Sequence, residues 1–391
     1  MVQIGRKITN PVAYRDDGSP KPLYKRFHRN TIQRDLIDLG YYVDVDSRET
    51  VYEGYHVTKD NYPEGELPNP SGDLDQLRND LMEFGYCLVE NALSYDQLST
   101  LRTRLDDQSA GERAANVARY TAQDKYGVFS SQSLLMLINK GECFRELVEL
   151  AERTVAKGPL LEQLIEEMLG REFLINSIAA AIAGPGGIPQ MLHCGQSMIP
   201  KPWPPWPYEC FAGFLLDDFS SENGGTLVIP RSHKIFTDAG TNPILSLPPT
   251  INITAPAGTA LIMDGRVAHG TGTNFSDQLR RLIITTWHKP FIRQQEQYHL
   301  TVRREVFETA SDKLKLRLGF KAWSGGLGGY EGHGEGSYAP IRDGYLSVGE
   351  LNSKGEGIDS PEQYTIHQEQ AEGSGEEQIR MRQKNKLITR N

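Results

Sequence analysis

Apolar residues in the first third of the chain recur at helical spacing. Between residues 74 and 105, leucines and one phenylalanine fall three or four positions apart, and the run "YCLVEN" interrupts them. The first period buries one face of a helix, whereas a short continuous apolar run is typical of a buried strand. The pattern predicts two helices separated by a strand, with Ser94 capping the second. Two further amphipathic helices are predicted at 142–156 and 159–169, the latter ended by Gly170.

The period changes from helical to strand-like after Gly170. Short runs rich in branched and aromatic residues follow, separated by Gly, Pro, Asn and Asp: "EFLINSIAAAIA", "CFAGFLL", "GTLVIP", "INITAPAGTALIM" and "RLIITTWH". Several short strands with no helices between them predict an antiparallel sandwich or jelly roll. We therefore expect a mainly β protein with flanking helices, whose core at about 171–292 is a double-stranded β-helix of the cupin-like, jelly-roll type.

Both ends of the chain are more polar than its middle. Residues 1–70 are rich in Tyr, Asp, Arg and Pro and show weak periodicity, which predicts an N-terminal extension. The end of the chain is rich in Glu, Gln, Gly and Ser, the composition of a flexible segment. The predicted organisation is an extension at 1–70, one domain at 71–345 and a polar flexible tail at 346–391.

Charge and cysteine usage exclude several classes of protein. The chain has 391 residues and a formal net charge of -9, which argues against a general nucleic-acid or anionic-membrane surface. No apolar run approaches the length of a bilayer span, and the first residues lack the apolar stretch of a secretory signal. The four cysteines form no CxxC pair, which suits reduced thiols. These features predict a cytoplasmic protein with no nucleic-acid or membrane partner.

Two histidines and one arginine lie at the ends of predicted strands. His193 follows the strand-like run "IPQML", His269 follows "TALIMDGRVA", and Arg280 opens the next run. A double-sheet barrel can bring such distant residues together at its mouth. A lone histidine is more often a surface or core residue than a metal ligand, and a lone arginine is more often a solvated charge. Their order along the chain nevertheless favours a shared site.

Three segments carry a family resemblance, in the order "GYCLVENALSYDQLSTLRTRL" (85–105), "DDFSSENGGTLVIPRSHK" (217–234) and "HGTGTNFSDQLRR" (269–281). With them, roughly residues 75 to 290 resemble the phytanoyl-CoA hydroxylase family of iron(II)/2-oxoglutarate-dependent oxygenases. The resemblance implies oxidation of an unactivated C–H bond, with Fe(II), 2-oxoglutarate and O₂ as cofactors.

The resemblance also assigns roles to individual residues. It implies that His193 and His269 bind the iron, and that Arg280 binds the distal carboxylate of 2-oxoglutarate. Thr271 would add a hydroxyl donor to the same carboxylate, and Gln190 would help to hold the co-substrate.

The chain departs from the family at one ligand position. The family pattern is His-x-Asp or His-x-Glu, and here it is His193-Cys194-Gly195. Halogenating members of the superfamily resemble this chain in having Ala or Gly there. The resemblance predicts a halide pocket at Gly195, chloride as an additional cofactor, and chlorination of a small molecule of secondary metabolism.

Three other interpretations remain open. Gln196, Glu209 or a residue of the N-terminal extension could complete the iron shell, which would make the protein a hydroxylase. Cys194 could act as a thiolate ligand, although it stands at the position that normally points away. The chain could also be a non-catalytic binding protein of the same fold.

The segment "PKPWPPWPYECF" (200–211) follows the first histidine. Trp203, Trp206 and Tyr208 are predicted to form a wall over the substrate, because their rings offer rigid apolar surface with polar tips. An edge loop that covers the core is the alternative. The substrate is expected to be a small molecule, free or carried as a thioester. The sequence predicts no oligomeric state.

Overall fold

The computed structural model describes residues 42–43, 50–51, 59–62, 65–123, 129–187, 189–190, 192–235, 249–323 and 327–328. The chain divides into two compact units, Met1–Lys289 and Pro290–Asn391. Most of the predicted extension and all of the predicted tail at 346–391 lie outside the described residues. The predicted extents of the extension, the domain at 71–345 and the tail therefore stay predictions.

The strands of the described residues form three sheets whose neighbouring strands are antiparallel. They are β1 (Tyr42–Val43), β2 (Thr50–Val51), β3 (Tyr86–Val89), β4 (Arg119–Gln123), β5 (Phe129–Leu134), β6 (Leu174–Ala183), β7 (Glu209–Leu215), β8 (Thr226–Val228), β9 (Ile251–Asn252), β10 (Ala260–Asp264), β11 (His269–Thr271) and β12 (Arg280–His288). The sheets have the orders β1-β2, β3-β10-β7-β12-β6-β5-β4 and β11-β8-β9.

From β6 to β12 the chain crosses repeatedly between the two larger sheets. β6, β7, β10 and β12 belong to the seven-stranded sheet, whereas β8, β9 and β11 form the three-stranded sheet between them in sequence. His193 extends the smaller sheet through an isolated antiparallel bridge to His269. Alternation of this kind, with all pairs antiparallel, is the jelly-roll arrangement. The predicted fold class is confirmed, and the predicted bounds of its core stay a prediction.

An apolar cluster fills the space between the two sheets. Residues paired across an antiparallel ladder project to the same side. Leu215 and Leu282 are paired in this way, as are Phe211 and Met263. All four lie in one buried cluster with side chains of the smaller sheet such as Val228. Each fully buried side chain of this size contributes about 1.5–3 kcal/mol. The even-numbered residues in the first half of β12 therefore point into this interior.

Helices cover the opposite face of the larger sheet, where Ile178 and Ile283 are fully buried. In the described part of the first unit the helices are α1 (Leu74–Phe84), α2 (Tyr95–Ala114), α3 (Glu142–Glu149), α4 (Gly158–Leu169) and α5 (Ser232–Ile235). Helix α3 contacts β6, and α4 contacts β7. The helix predicted at 142–156 ends early, because Leu150 adopts a left-handed conformation with φ 52° and caps α3.

Helix α2 begins with a reciprocal cap, as the sequence predicts. The Ser94 hydroxyl accepts from the Gln97 backbone N–H, and the Gln97 side chain accepts from the Ser94 backbone N–H. Replacing Ser94 with alanine is expected to lower the free energy of unfolding by about 1 kcal/mol. Denaturant unfolding measures this change. Ser99→Ala, at an exposed position within the same helix, is the control and should not destabilise the protein.

The described part of the second unit is helical. It contains α6 (Tyr298–Thr301), α7 (Arg304–Thr309) and α8 (Asp312–Arg317). Within the described ranges of both units, no helix combines the length and apolar character that crossing a membrane requires.

Candidate active site

The two histidines singled out in the sequence lie side by side at one end of the jelly roll. Their backbones exchange two hydrogen bonds, each with an N–O distance of 2.8 Å, and their ring centroids are 4.5 Å apart. His269 opens β11, and His193 stands opposite it on the neighbouring segment. Because residues opposite each other in an antiparallel bridge share a face, both imidazoles point to the same side. The arrangement offers two nitrogen ligands to one ion.

His269 is held in one tautomer. Its Nδ1 lies 3.0 Å from the backbone oxygen of Val267, and a carbonyl oxygen can only accept, so Nδ1 carries the proton. Burial, and secondarily the neighbouring His193, lower the pKa of His269 to about 3. The ring is therefore neutral at physiological pH, with the lone pair on Nε2. A neutral imidazole whose other nitrogen is fixed by a carbonyl is a typical metal ligand.

Arg280 is a buried cation that has no hydrogen-bond partner among the residues the structure describes. Its side chain is fully buried, and this holds for all three nitrogens, Nε, Nη1 and Nη2. The guanidinium carbon lies 4.7 Å from the ring centroid of Phe219, a member of the interior cluster. Burial lowers the pKa of Arg280 to about 10, so the side chain stays charged at neutral pH. Buried charges are normally paired. This one fits an anionic ligand, such as a carboxylate, inside the jelly roll.

Arg281, the next residue, is paired with carboxylates, unlike Arg280. Arg281 donates to the carboxylates of Asp106 and Asp217, with N–O distances between 2.7 and 3.2 Å. Successive strand residues point to opposite faces, which explains the contrast. Arg281 is a paired structural side chain, and Arg280 alone of the two is available to a ligand.

Thr271 and Gln190 lie along the same edge as the histidines. The Gln190 backbone N–H donates to the Thr271 carbonyl at 2.9 Å, and the Thr271 hydroxyl approaches the Gln190 side-chain oxygen at 3.5 Å. Thr271 is two residues beyond His269 on β11, so both side chains share a face. Their roles in co-substrate binding stay predictions.

The space beside Gly195 is not open. A Cβ atom built on Gly195 would lie closer than 3.0 Å to Oε1 of Glu209, a separation that real Cβ atoms essentially never show. Glu209 opens β7 and shares the interior face with Phe211 two residues later. The halide pocket predicted at Gly195 requires this space, which in the described structure holds the tip of the Glu209 side chain. The pocket stays a prediction.

Glu209 is a half-buried acid at the start of β7. Desolvation raises its pKa to about 8. Its hydrogen-bond partner is Asn176, whose Nδ2 donates to Oε2 at 3.3 Å. Within the described ranges, no lysine, arginine or histidine forms an ion pair with Glu209. No three His, Cys, Asp or Glu side chains of the described residues converge as a closed metal site.

Two other residues considered for the iron shell point elsewhere. The side-chain oxygen of Gln196 accepts from the backbone N–H of Tyr208 at 2.7 Å. The Cys194 thiol donates to the carbonyl of Arg266 at 3.1 Å. Both contacts direct the polar atoms into the supporting loops rather than toward the histidine pair.

The two tryptophans of the 200–211 segment differ in burial. Trp203 is buried, and its Nε1 donates to the carbonyl of Ile199 at 2.8 Å, as expected for a loop that covers the core. Trp206 is 53% exposed and lines a cavity of about 470 Å³ on the outer face with Met82 and His233. Neither candidate iron ligand lines that cavity, nor does Arg280. The substrate roles of Trp203, Trp206 and Tyr208 stay predictions.

Comparison with known proteins identifies several relatives. The dioxygenase af480 of Aspergillus fumigatus is 32% identical over 172 residues, 42% of this chain and 54% of that protein. The chain thus spans about half the length of that relative. The dioxygenase FrzG of Cladobotryum sp is 25% identical over 273 residues, 65% of this chain and 85% of that protein.

Among solved structures, the non-haem α-ketoglutarate-dependent carbocyclase SnoK from nogalamycin biosynthesis is similar, with a TM-score of 0.45 and 15% identity. That likeness covers 57% of this chain and 87% of that one. The family model described as phytanoyl-CoA dioxygenase (PhyH) matches residues 81–282, which is more than half of the chain. The resemblance seen in the sequence is thereby confirmed, and the chain belongs to the phytanoyl-CoA dioxygenase family.

Proposed function

We propose that this protein is an Fe(II)/2-oxoglutarate-dependent oxygenase that hydroxylates an unactivated C–H bond of a small molecule. The observation that carries the proposal is the unpaired, buried Arg280 in the same jelly-roll interior that brings His193 and His269 together. One site thus offers two imidazole nitrogens to a metal and one buried cation to a dianionic co-substrate. Membership of the family, and the names of both curated relatives, support this activity.

The proposed reaction balances in atoms and electrons. The substrate R–H, 2-oxoglutarate and O₂ give R–OH, succinate and CO₂. Two electrons for the reduction of O₂ come from decarboxylation of the co-substrate, and two come from the C–H bond. One oxygen atom enters the succinate carboxylate, and the other enters the product hydroxyl.

Each residue has a defined task in this scheme. His193 and His269 would hold Fe(II), which when bound supplies the one-electron chemistry that O₂ activation requires. Arg280 would bind the distal carboxylate of 2-oxoglutarate through charge-assisted hydrogen bonds, with Thr271 beside it. The apolar cluster below the site excludes water from the bound reactants.

Chlorination is the second candidate, and the absence of an acid at Gly195 is the observation that favours it. It requires a halide in the space next to that glycine. Because the Glu209 carboxylate oxygen occupies this space, hydroxylation is the better supported of the two reactions. The small-molecule substrate, in free or carrier-bound form, and the cytoplasmic location predicted from the sequence belong to the same proposal.

Anaerobic reconstitution tests the proposed reaction. Fe(II) and 2-oxoglutarate together, but neither alone, should produce a visible charge-transfer band. Admission of ¹⁸O₂ should then yield CO₂ and succinate carrying one labelled oxygen, even by slow turnover without substrate. Samples containing Mg²⁺ instead of Fe(II) are the control. The proposal fails if Fe(II) and 2-oxoglutarate give neither the band nor labelled succinate.

Candidate substrates distinguish the two reactions. Each is incubated with the reconstituted protein in chloride-free buffer and in buffer with added chloride, and the products are analysed by mass spectrometry. A labelled hydroxyl group in the product under both conditions supports hydroxylation. A chlorinated product that appears only with chloride would overturn it in favour of the second candidate.

A further inference from the structure

We infer that Glu209 supplies the metal-binding carboxylate that position 195 lacks. The inference rests on the proposed function, since it concerns the same iron site. It assigns to β7 a ligand that family members carry on the loop two residues after the first histidine.

The position of the Glu209 carboxylate is the first reason. In a His-x-Asp motif, the acidic side chain begins at the Cβ atom two residues after the histidine. In this chain Oε1 of Glu209 stands at that place, and only a glycine at 195 leaves room for it. The acid has therefore not simply been lost. A carboxylate from a neighbouring strand lies where the Cβ atom of an acidic residue at 195 would be.

A second glycine, Gly265, also packs closely against Glu209. A Cβ atom on Gly265 would lie 2.6 Å from the Glu209 backbone oxygen and 2.9 Å from its Cβ. The Gly265 N–H donates to that same backbone oxygen at 2.9 Å, which holds the two segments together. Glu209 is thus enclosed between Gly195 and Gly265. Close approach of this kind requires the missing side chains at both positions.

Electrostatics is the second reason. The Glu209 carboxylate has one long hydrogen bond and, in the described part of the chain, no cationic partner. A carboxylate removed from water is stabilised by pairing or by metal coordination. Two neutral imidazoles and one carboxylate form the ligand set that non-haem Fe(II) oxygenases use. A divalent ion beside His193 and His269 would supply the charge that Glu209 lacks.

Binding would require a movement of the side chain. The Glu209 carboxylate lies against Gly195, and within the described residues it does not form a closed site with the two histidines. Glutamate has more rotatable bonds than aspartate, so rotation about its side chain can carry the carboxylate toward the histidines while the backbone stays fixed.

His288 is the rival explanation. It pairs with Glu209 across β12 and β7, it is fully buried, and its Nε2 has no hydrogen-bond partner. A protonated Glu209 could donate to this nitrogen and have no role in metal binding. The two explanations differ in what happens to the metal affinity when Glu209 is replaced.

Metal affinity is the readout that tests the inference, measured with Co²⁺ alone by equilibrium dialysis, without turnover. Glu209→Gln keeps the shape and removes the charge, and it should weaken Co²⁺ binding at least about tenfold. Glu222→Gln, an exposed glutamate in a turn, is the matched control and should bind as the wild type does. Circular dichroism and the metal-free unfolding midpoint verify that each variant is folded.

The second part of the test moves the acidic side chain from position 209 to position 195. Gly195→Asp alone adds a second acid and displaces the tip of the Glu209 side chain, so it serves as the reference variant for this part. Combining it with Glu209→Gly removes the overlap and places the acid on the loop, so Co²⁺ affinity should return to within about tenfold of the wild type. This rescue depends on exchange of one carboxylate for another, which the hydrogen bond to His288 does not predict.

The measurements distinguish failure of the Glu209 inference from failure of the proposed function. If Glu209→Gln binds Co²⁺ as tightly as the wild type while His193→Ala does not, Glu209 is not a ligand and the proposed function stands. If the histidine variants also bind Co²⁺ like the wild type, the site holds no metal and the proposed function fails as well. If folded Glu209→Gln loses affinity but the double variant does not recover it, carboxylate exchange is excluded and the inference is overturned.

Discussion

Replacing Arg280 with methionine should make the protein more stable and unable to bind 2-oxoglutarate tightly. Arg280 is fully buried, and its three guanidinium nitrogens have no partners. Leaving a buried donor unsatisfied costs about 1–3 kcal/mol, and more for a charged group. Methionine fills a similar volume and carries no charge. We therefore expect the free energy of unfolding, without ligands, to rise by about 1–3 kcal/mol.

The effect on the co-substrate has the opposite sign. Removing one partner of a buried charge pair costs about 2–5 kcal/mol. This corresponds to a loss of 2-oxoglutarate affinity of roughly 30-fold to several thousand-fold. Metal binding should survive, because Arg280 provides no metal ligand. Stabilisation of the wild type by added 2-oxoglutarate should disappear in the variant.

Arg281→Met is the matched control for this experiment. Arg281 adjoins Arg280 but lies on the opposite face of β12, where it pairs with Asp106 and Asp217. Its replacement should lower stability and leave 2-oxoglutarate affinity unchanged. Thermal unfolding with and without metal and 2-oxoglutarate measures both quantities. Unchanged affinity in Arg280→Met would place the co-substrate anchor elsewhere.

Replacing either histidine of the pair with alanine should abolish measurable Fe(II) binding. His193 and His269 are the two proposed nitrogen ligands, and their rings lie 4.5 Å apart, so each replacement removes one of the pair. Loss of a group that merely supports a metal ligand typically costs about 10–100-fold in affinity. Loss of a ligand itself should exceed that range. Anaerobic equilibrium dialysis with Fe(II) measures the change directly.

The control for the histidine variants is His299→Ala, an exposed histidine of the second unit. It should retain the metal affinity of the wild type. Circular dichroism checks that the two jelly-roll variants remain folded, since His269 also contributes a hydrogen bond to Val267. Full Fe(II) occupancy in folded His193→Ala/His269→Ala would refute the assignment of both ligands.

The sequence predicted the fold well because its local signals agree with one another. The change from helical to strand-like period after Gly170 coincides with the start of the jelly roll, whose strands run from Leu174 to His288. The cap at Ser94 is visible in sequence because its partner, Gln97, is three residues away. The premature end of α3 at Leu150 was not predictable, since a leucine gives no signal for left-handed backbone.

The candidate site was predictable only where a motif carried it. His269 and Arg280 stand in a recognisable segment, and His193 could be found from the strand-like run before it. The relation of Gly195 to Glu209 depends on how two separate segments approach each other, which one sequence does not show. A charged residue at the start of an apolar strand, as Glu209 is before "CFAGFLL", is the one local signal that could have selected it among the alternatives.

The overlap between a side chain at 195 and the Glu209 carboxylate also bears on how this chain diverged from its relatives. A side chain at 195 would displace the tip of the Glu209 side chain, so the two positions depend on each other. If Glu209 binds the metal as proposed, a change from acid to glycine at 195 keeps a metal-binding carboxylate only where Glu209 is present. Such coupling restricts the order of mutational steps. It also means that a homologue search keyed to His-x-Asp overlooks chains that carry the acid on a different strand.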